Sequence, residues 1–148
     1  EGKGNASEGN TKFQWLQHGK YYTLTTVTNA EDEVYLTRIG ANDPDFNLRR
    51  DAAITIRRND TQDTLFVSVV EPHGSYSPVS ESSINSRSSI KNLEVVLDSD
   101  AYTGVRITDV KGDTQLFIIA TSNNDNGARH QVSLGDESYS WIGPYFYM

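Results

Sequence analysis

Along most of this chain the apolar residues recur at every second position, in short β-branched runs separated by clusters of Gly, Asn, Asp and Ser. A period of two puts neighbouring side chains on opposite faces of an extended backbone, so the pattern predicts strands and no helix of consequence. Residues 13–16 and 21–28 open the series, with Gly19 and Lys20 marking the turn between them. In the second of these, Tyr22, Leu24 and Thr26 share one face. Residues 34–39 follow, Val34 and Leu36 facing one way and Tyr35 and Thr37 the other. The connection over 40–48 is rich in Gly, Pro and Asx residues, which favour turns over ladder pairing.

Residues 52–57 and 65–70 are the next expected strands. The second is apolar on both faces, the pattern of a central strand, and Glu71-Pro72-His73-Gly74 is expected to end it because proline cannot donate to a ladder. Residues 75–89 are dominated by Ser and have no clear period, which predicts a long loop of the kind that is often functional. A meander follows over 93–97, 102–110, 114–121 and 128–134, punctuated by Lys111-Gly112-Asp113 and Asn126-Gly127. Residues 116–120 form a second expected central strand. The tail from Tyr139 to Met148 carries Trp141, Tyr145, Phe146 and Tyr147 and is too apolar to be left free, so it should pack along a sheet edge. About ten strands with no alternation of helices predict an all-β fold, with an antiparallel β-sandwich or a barrel as the economical solutions, and the sandwich is the expected one.

Composition narrows the picture. A length of 148 residues suits one domain, expected over 11–148, and residues 1–10 read as a flexible linker or loop. The net charge of −7 argues against nucleic acid, which demands a dominant basic surface. No apolar run approaches the roughly 20 residues of a membrane helix, and residues 1–10 lack the apolar stretch of a signal peptide. Cysteine is absent, which removes disulfides and thiolate metal sites.

Candidate chemistry is sparse. The three histidines, His18, His73 and His130, show no metal-ligand spacing, and His130 alternates with Val132 and Leu134 as a residue that faces inward or caps a strand would. His73 lies beside the long Ser-rich loop, with Tyr76 three residues on, and such a pair can serve as base and acid in proton abstraction next to a carboxylate. A loop histidine bonded to backbone is the plainer account of it. Five arginines fall within residues 38–58; Arg38 ends a strand and, with Asn42, Arg49 and Arg50, could form a rim that grips carboxylates through guanidinium pairs. Pairing with Asp43, Asp45 and Asp51 is the alternative. The acidic and amide clusters at 98–100 and 123–127 lack the spacing of a calcium loop and are explained by turn chemistry.

Two stretches, 24–29 and 37–50, the latter containing Gly40-Ala41-Asn42-Asp43-Pro44, resemble the C-terminal region of heparinase II/III-like polysaccharide lyases, and most closely the oligoalginate lyases of polysaccharide lyase family 17. Residues 66–76, with Glu71-Pro72-His73-Gly74, and Trp141-Ile142-Gly143-Pro144-Tyr145 are similar to the same region, so the likeness covers roughly residues 11–145. The resemblance implies a β-sandwich that follows an α/α toroid and closes over the substrate cleft of an enzyme that cleaves alginate by β-elimination. It also implies that the catalytic Asn, His and Tyr and a histidine-rich zinc site lie upstream, leaving no cofactor or metal in this chain and no carried-over catalytic role for His73 or Tyr76.

The expected function is therefore that of an accessory C-terminal domain of an alginate lyase, not an enzyme on its own. Its partners would be the upstream toroid and an anionic polysaccharide, held by Arg38, Asn42, Arg49, Arg50, His73 and Tyr76, in a bacterial periplasm or outside the cell. The alternative is an autonomous carbohydrate-binding module that takes uronate chains on the arginine rim and on exposed aromatic rings. A small lyase using His73 and Tyr76 would need a carboxylate neutraliser and an enclosed cleft, and nothing in the sequence assures either.

Overall fold

A computed structural model describes residues 2–40 and 50–148. The described residues contain thirteen strands and no helix. In chain order these are β1 (Gly2–Asn5), β2 (Gly9–Gln17), β3 (Lys20–Thr28), β4 (Glu33–Gly40), β5 (Arg50–Arg57), β6 (Ser68–Ser77), β7 (Ser82–Ile84), β8 (Ile90–Asp98), β9 (Tyr102–Asp109), β10 (Thr114–Ala120), β11 (Arg129–Leu134), β12 (Glu137–Ile142) and β13 (Tyr145–Tyr147). The ladders are antiparallel, so the all-β, antiparallel expectation holds. The sheets run β1-β4-β5, β2-β3-β6-β7, β13-β10-β9-β8 and β11-β12. Where the sequence predicts one domain over 11–148, the chain divides into two compact units, residues 1–11 with 28–64 and residues 12–27 with 65–148.

The first unit is held largely by polar groups. Among the described residues its sheet has one buried apolar side chain, Val34. Residues 2–5, expected as linker or loop, form β1 against β4, with Gly4 opposite Val34. Lys3 Nζ donates to Glu33 Oε1 at 2.6 Å and sits 5.3 Å from the centre of the Tyr35 ring, and Tyr35 donates to the other Glu33 oxygen at 2.6 Å. These donors, Lys3 first, hold the Glu33 carboxyl down at about 2. Asp32, 1% exposed, takes a two-point grip from Arg58, Nε to Oδ1 at 2.8 Å and Nη2 to Oδ2 at 2.6 Å, and accepts the Asn29 N–H at 2.9 Å. That network ties the β3–β4 turn to the end of β5.

In the second unit the four-stranded sheet β13-β10-β9-β8 packs against the β11–β12 ribbon as two layers of a sandwich. Leu116 and Ile118 of β10 meet Val132 of β11, with Leu134, Tyr139, Trp141 and Phe146 around them. The apolar tail does lie along a sheet edge: β13 pairs with β10, Phe146 opposite Ile118. β10 is central within its sheet but is covered on one face only. Leu116, Ile118 and Ala120 are buried, whereas Phe117 and Ile119 are 37% and 49% exposed. The expectation of a strand buried on both faces is corrected accordingly.

The largest departure from the sequence pattern is at β6. The strand starts at Ser68 rather than Leu65 and runs through Pro72 to Ser77, and Ser82–Ile84 of the expected loop returns as β7. Proline is tolerated because of register. Val27 N–H bonds to Val67 O, so the alternation along the β3–β6 ladder makes Tyr22 and Pro72 a pair that exchanges no hydrogen bonds. On its other side β6 is paired only from Ser75 to Ser77. Gly74 then forms a bulge, the register slipping where Lys20 faces Ser75 and Tyr21 faces His73. Its φ is +50°, and a Cβ would lie 2.1 Å from the Asn85 carbonyl oxygen and 2.3 Å from that of Ile84.

Two outcomes follow for stability. Gly74→Ala should lower the unfolding free energy by about 3 kcal/mol or more in urea titrations, through backbone strain and the clash with two carbonyls. Gly112→Ala, also at positive φ but in open space, should cost about 1 kcal/mol. The Asp32 carboxyl is held below the ordinary carboxylate range by the Arg58 guanidinium, against the opposing effect of burial. A depressed folded pKa gives stability that is full above the unfolded pKa and lost as pH falls through the folded one, so the first unit should weaken below about pH 4. Asp32→Ala should cost about 3 kcal/mol at pH 7 and flatten that acid dependence.

Candidate functional site

Polar chemistry gathers in the second unit where β6 meets the Ser-rich segment. Glu71 and His73 alternate along β6 and project onto residues 85–89. Glu71 accepts hydrogen bonds from the Ser88 hydroxyl, from the Ser89 hydroxyl at 2.6 Å and from the Ser89 N–H at 3.0 Å. Burial alone would raise its pKa, but these donors, with the nearby His73, outweigh it and the net shift is downward. The carboxylate is a clamp for the start of β8.

His73 has both ring nitrogens engaged. Nδ1 lies 2.9 Å from the Asn85 carbonyl oxygen, which can only accept, so Nδ1 carries the proton. Nε2 lies 2.8 Å from the Thr23 hydroxyl, which can donate or accept. Thr23 is 2% exposed. The ring also lies parallel to Tyr21, centroids 6.1 Å apart, and Tyr21 bonds to the Ser83 hydroxyl at 2.7 Å. This is the backbone-bonded arrangement that is the plainer account of a histidine in this position. Tyr76 is half-buried, pairs with Ser83 of β7 and donates its N–H to Gly19 O.

Beside these residues lies an open groove of about 680 Å³, lined by Glu71, His73, Gly74, Asn85, Ser86, Arg87, Ser88, Ser89 and Val110. Arg87 is its cation. Sequence reasoning missed it, because the arginines within 38–58 drew attention to a cluster while Arg87 stands alone among serines. The signal available was the unusual Ser-Arg-Ser-Ser run in the longest stretch without periodicity.

The predicted arginine rim is placed only in part. Arg38 is exposed on β4, opposite Ala52 of β5, in the first unit. Asn42 and Arg49 lie outside the described residues, as does the side chain of Arg50, whose backbone begins β5 opposite Gly40. His73 and Tyr76 belong to the second unit.

His130 is buried, as its alternation implies, stacked on Trp141 at 5.1 Å and within 3.2 Å of the Tyr102 hydroxyl through Nδ1. The zinc that the family resemblance implies has no matching donor set among the described residues, where no group of three or more His, Cys, Asp or Glu comes together. Nor, among the described residues, is any helix long and apolar enough to cross a membrane.

No protein-family model matches the chain. Two curated relatives do. Over 143 residues, 95% of this chain and 19% of the relative, it is 30% identical to an exo-oligoalginate lyase of Saccharophagus degradans. Over 131 residues, 88% of this chain and 17% of the relative, it is 31% identical to an alginate lyase of Stenotrophomonas maltophilia. The chain is thus an all-β unit related, over nearly its whole length, to a domain-sized part of much longer polysaccharide lyases. It spans about one fifth of the curated relatives it matches, and the resemblance to the oligoalginate lyases read from its motifs is borne out.

The clamp can be tested directly. Replacing Glu71 with Ala should leave the sheet folded but raise amide exchange at Ser88 and Ser89 about tenfold or more, the local opening that follows loss of a charge-assisted bond. Exchange measured residue by residue, with Val105 in β9 as an internal reference, reads this out.

Proposed function

We propose that the chain serves as the C-terminal accessory domain of an alginate lyase, supporting the substrate cleft and contacting anionic sugar chains, while the catalytic groups and the zinc site stand upstream in an α/α toroid. The observation that carries the reading is the match of nearly the whole chain to less than a fifth of two proteins named as alginate lyases. The occupied ring of His73 supports it, since a base whose two ring nitrogens are already engaged by the Thr23 hydroxyl and the Asn85 carbonyl is poorly placed to take a substrate proton. Oligoalginate is the polysaccharide partner, Arg38, Asn42, Arg49 and Arg50 supply carboxylate contacts, and His73 and Tyr76 line the sugar path. The compartment is the bacterial periplasm or exterior, where such polymers are met.

A second reading, an autonomous carbohydrate-binding module, is favoured by one feature. Phe117, Tyr145 and Tyr147, 37%, 63% and 53% exposed, present rings from β10 and β13, with Phe117 and Tyr147 4.6 Å apart. Sugar rings stack on such surfaces.

Incubation with alginate oligomers separates these from catalysis. The isolated chain should yield no ultraviolet absorbance from unsaturated ends, and turnover that disappears in His73→Ala would overturn the accessory reading. Affinity electrophoresis in alginate gels distinguishes the other two. Retardation of the isolated chain that weakens with salt and in the Arg49→Ala, Arg50→Ala double variant supports a free-standing module, whereas unretarded migration leaves the accessory domain.

A further inference from the structure

The Ser-rich segment from Asn85 to Ser89 is anchored on both sides of Arg87. Asn85 gives its carbonyl oxygen to His73 Nδ1 at 2.9 Å, and Ser86 gives its carbonyl oxygen to the Gln14 amide at 3.0 Å. Ser88 and Ser89 donate their hydroxyls to Glu71, and the Ser89 carbonyl accepts the Val110 N–H at 2.8 Å. The four neighbours of Arg87 are thus each fixed by a specific bond. Arg87 itself is exposed and has no hydrogen bond or ion pair among the described residues, in contrast to Arg58 and Arg106, which are paired with Asp32 and Glu94.

A guanidinium on a fixed backbone loses little freedom when it binds, and its fork matches a carboxylate at two points. Glu71 cannot compete for that role, since both its oxygens accept bonds from Ser88 and Ser89. The rest of the groove has the composition a pyranose requires. Ser86 and Asn85 offer small polar groups at the scale of ring hydroxyls, and Val110, 63% exposed, offers an apolar surface for a sugar C–H face.

We infer that this groove is a uronate subsite, with Arg87 binding the carboxylate of one sugar residue and Asn85 and Ser86 its hydroxyls. The inference deepens the proposed function and rests on its uronate reading, but it assigns the carboxylate contact to a residue outside the predicted arginine rim. An acidic peptide would offer the same carboxylate without the ring, and the test separates the two.

The experiment is a titration of the 148-residue chain, observed by amide NMR shifts, with tetramannuronate, with neutral cellotetraose and with tetraglutamate. Saturable shifts at residues 86–89 and Val110 with the uronate, none with the neutral sugar, are expected. Arg87→Gln should weaken that affinity about tenfold or more, the loss of one charge-assisted contact, while Arg129→Gln on β11 leaves it unchanged. Unchanged affinity in Arg87→Gln overturns the subsite while leaving the alginate-lyase reading intact, and equal binding of tetraglutamate overturns the sugar assignment. Absence of shifts with the wild-type chain overturns the subsite as well; the accessory reading fails separately, on turnover by the isolated chain that disappears in His73→Ala.

Discussion

At Gly74 the β6 backbone takes a left-handed turn into space that two carbonyl oxygens of the neighbouring segment already occupy, and only a residue without a Cβ can do both. The bulge that results shifts the β3–β6 register by one residue. With it, His73 meets Thr23 and Asn85 at once, and β7 closes onto Ser75–Ser77. What reads as a proline-terminated strand followed by loose serines is instead a continuous strand with an ordered return.

Three acidic residues of this chain are used in a consistent way. Asp32, Glu33 and Glu71 all have pKa values held down by hydrogen-bond donors, and each ties together segments distant in sequence. Asp32 and Glu33 compensate for a first unit with little apolar burial; Glu71 orders a segment with almost no apolar side chains. Asp32 and Glu33 are charge-paired with Arg58 and Lys3, whereas Glu71, bonded by neutral serine groups, keeps its charge. Arg38 and Arg87 remain exposed in separate units.

Kinship with part of two alginate lyases gives these features a context without making the chain a lyase in itself. The described residues hold no assembled acid–base–metal constellation. What they do hold is a polar groove with an anchored cation, and a sheet face with exposed aromatic rings.

Much of the architecture was legible from alternation alone. The strands corresponding to β2 through β5 and β8 through β11 lie where period-two runs predict them, and the aromatic tail lies along β10 as its composition requires. The Glu-Pro-His-Gly run was legible as special but not in its role, because whether Pro72 can sit in a strand depends on which pairs of the β3–β6 ladder carry hydrogen bonds, a property of register between segments some fifty residues apart. The polar segment at residues 2–5 carries no apolar signal, and its pairing with β4 comes from Lys3 meeting Glu33 and Tyr35. The apolar run at 116–120 could not announce that one face would stay uncovered. Sequence by itself determined the strand class, most strand positions and the kinship with oligoalginate lyases, since these are local or linear properties. Tertiary structure alone decided that His73 is a bonded anchor and Arg87 a presented cation, since a side chain's availability depends on the partners that distant strands bring to it.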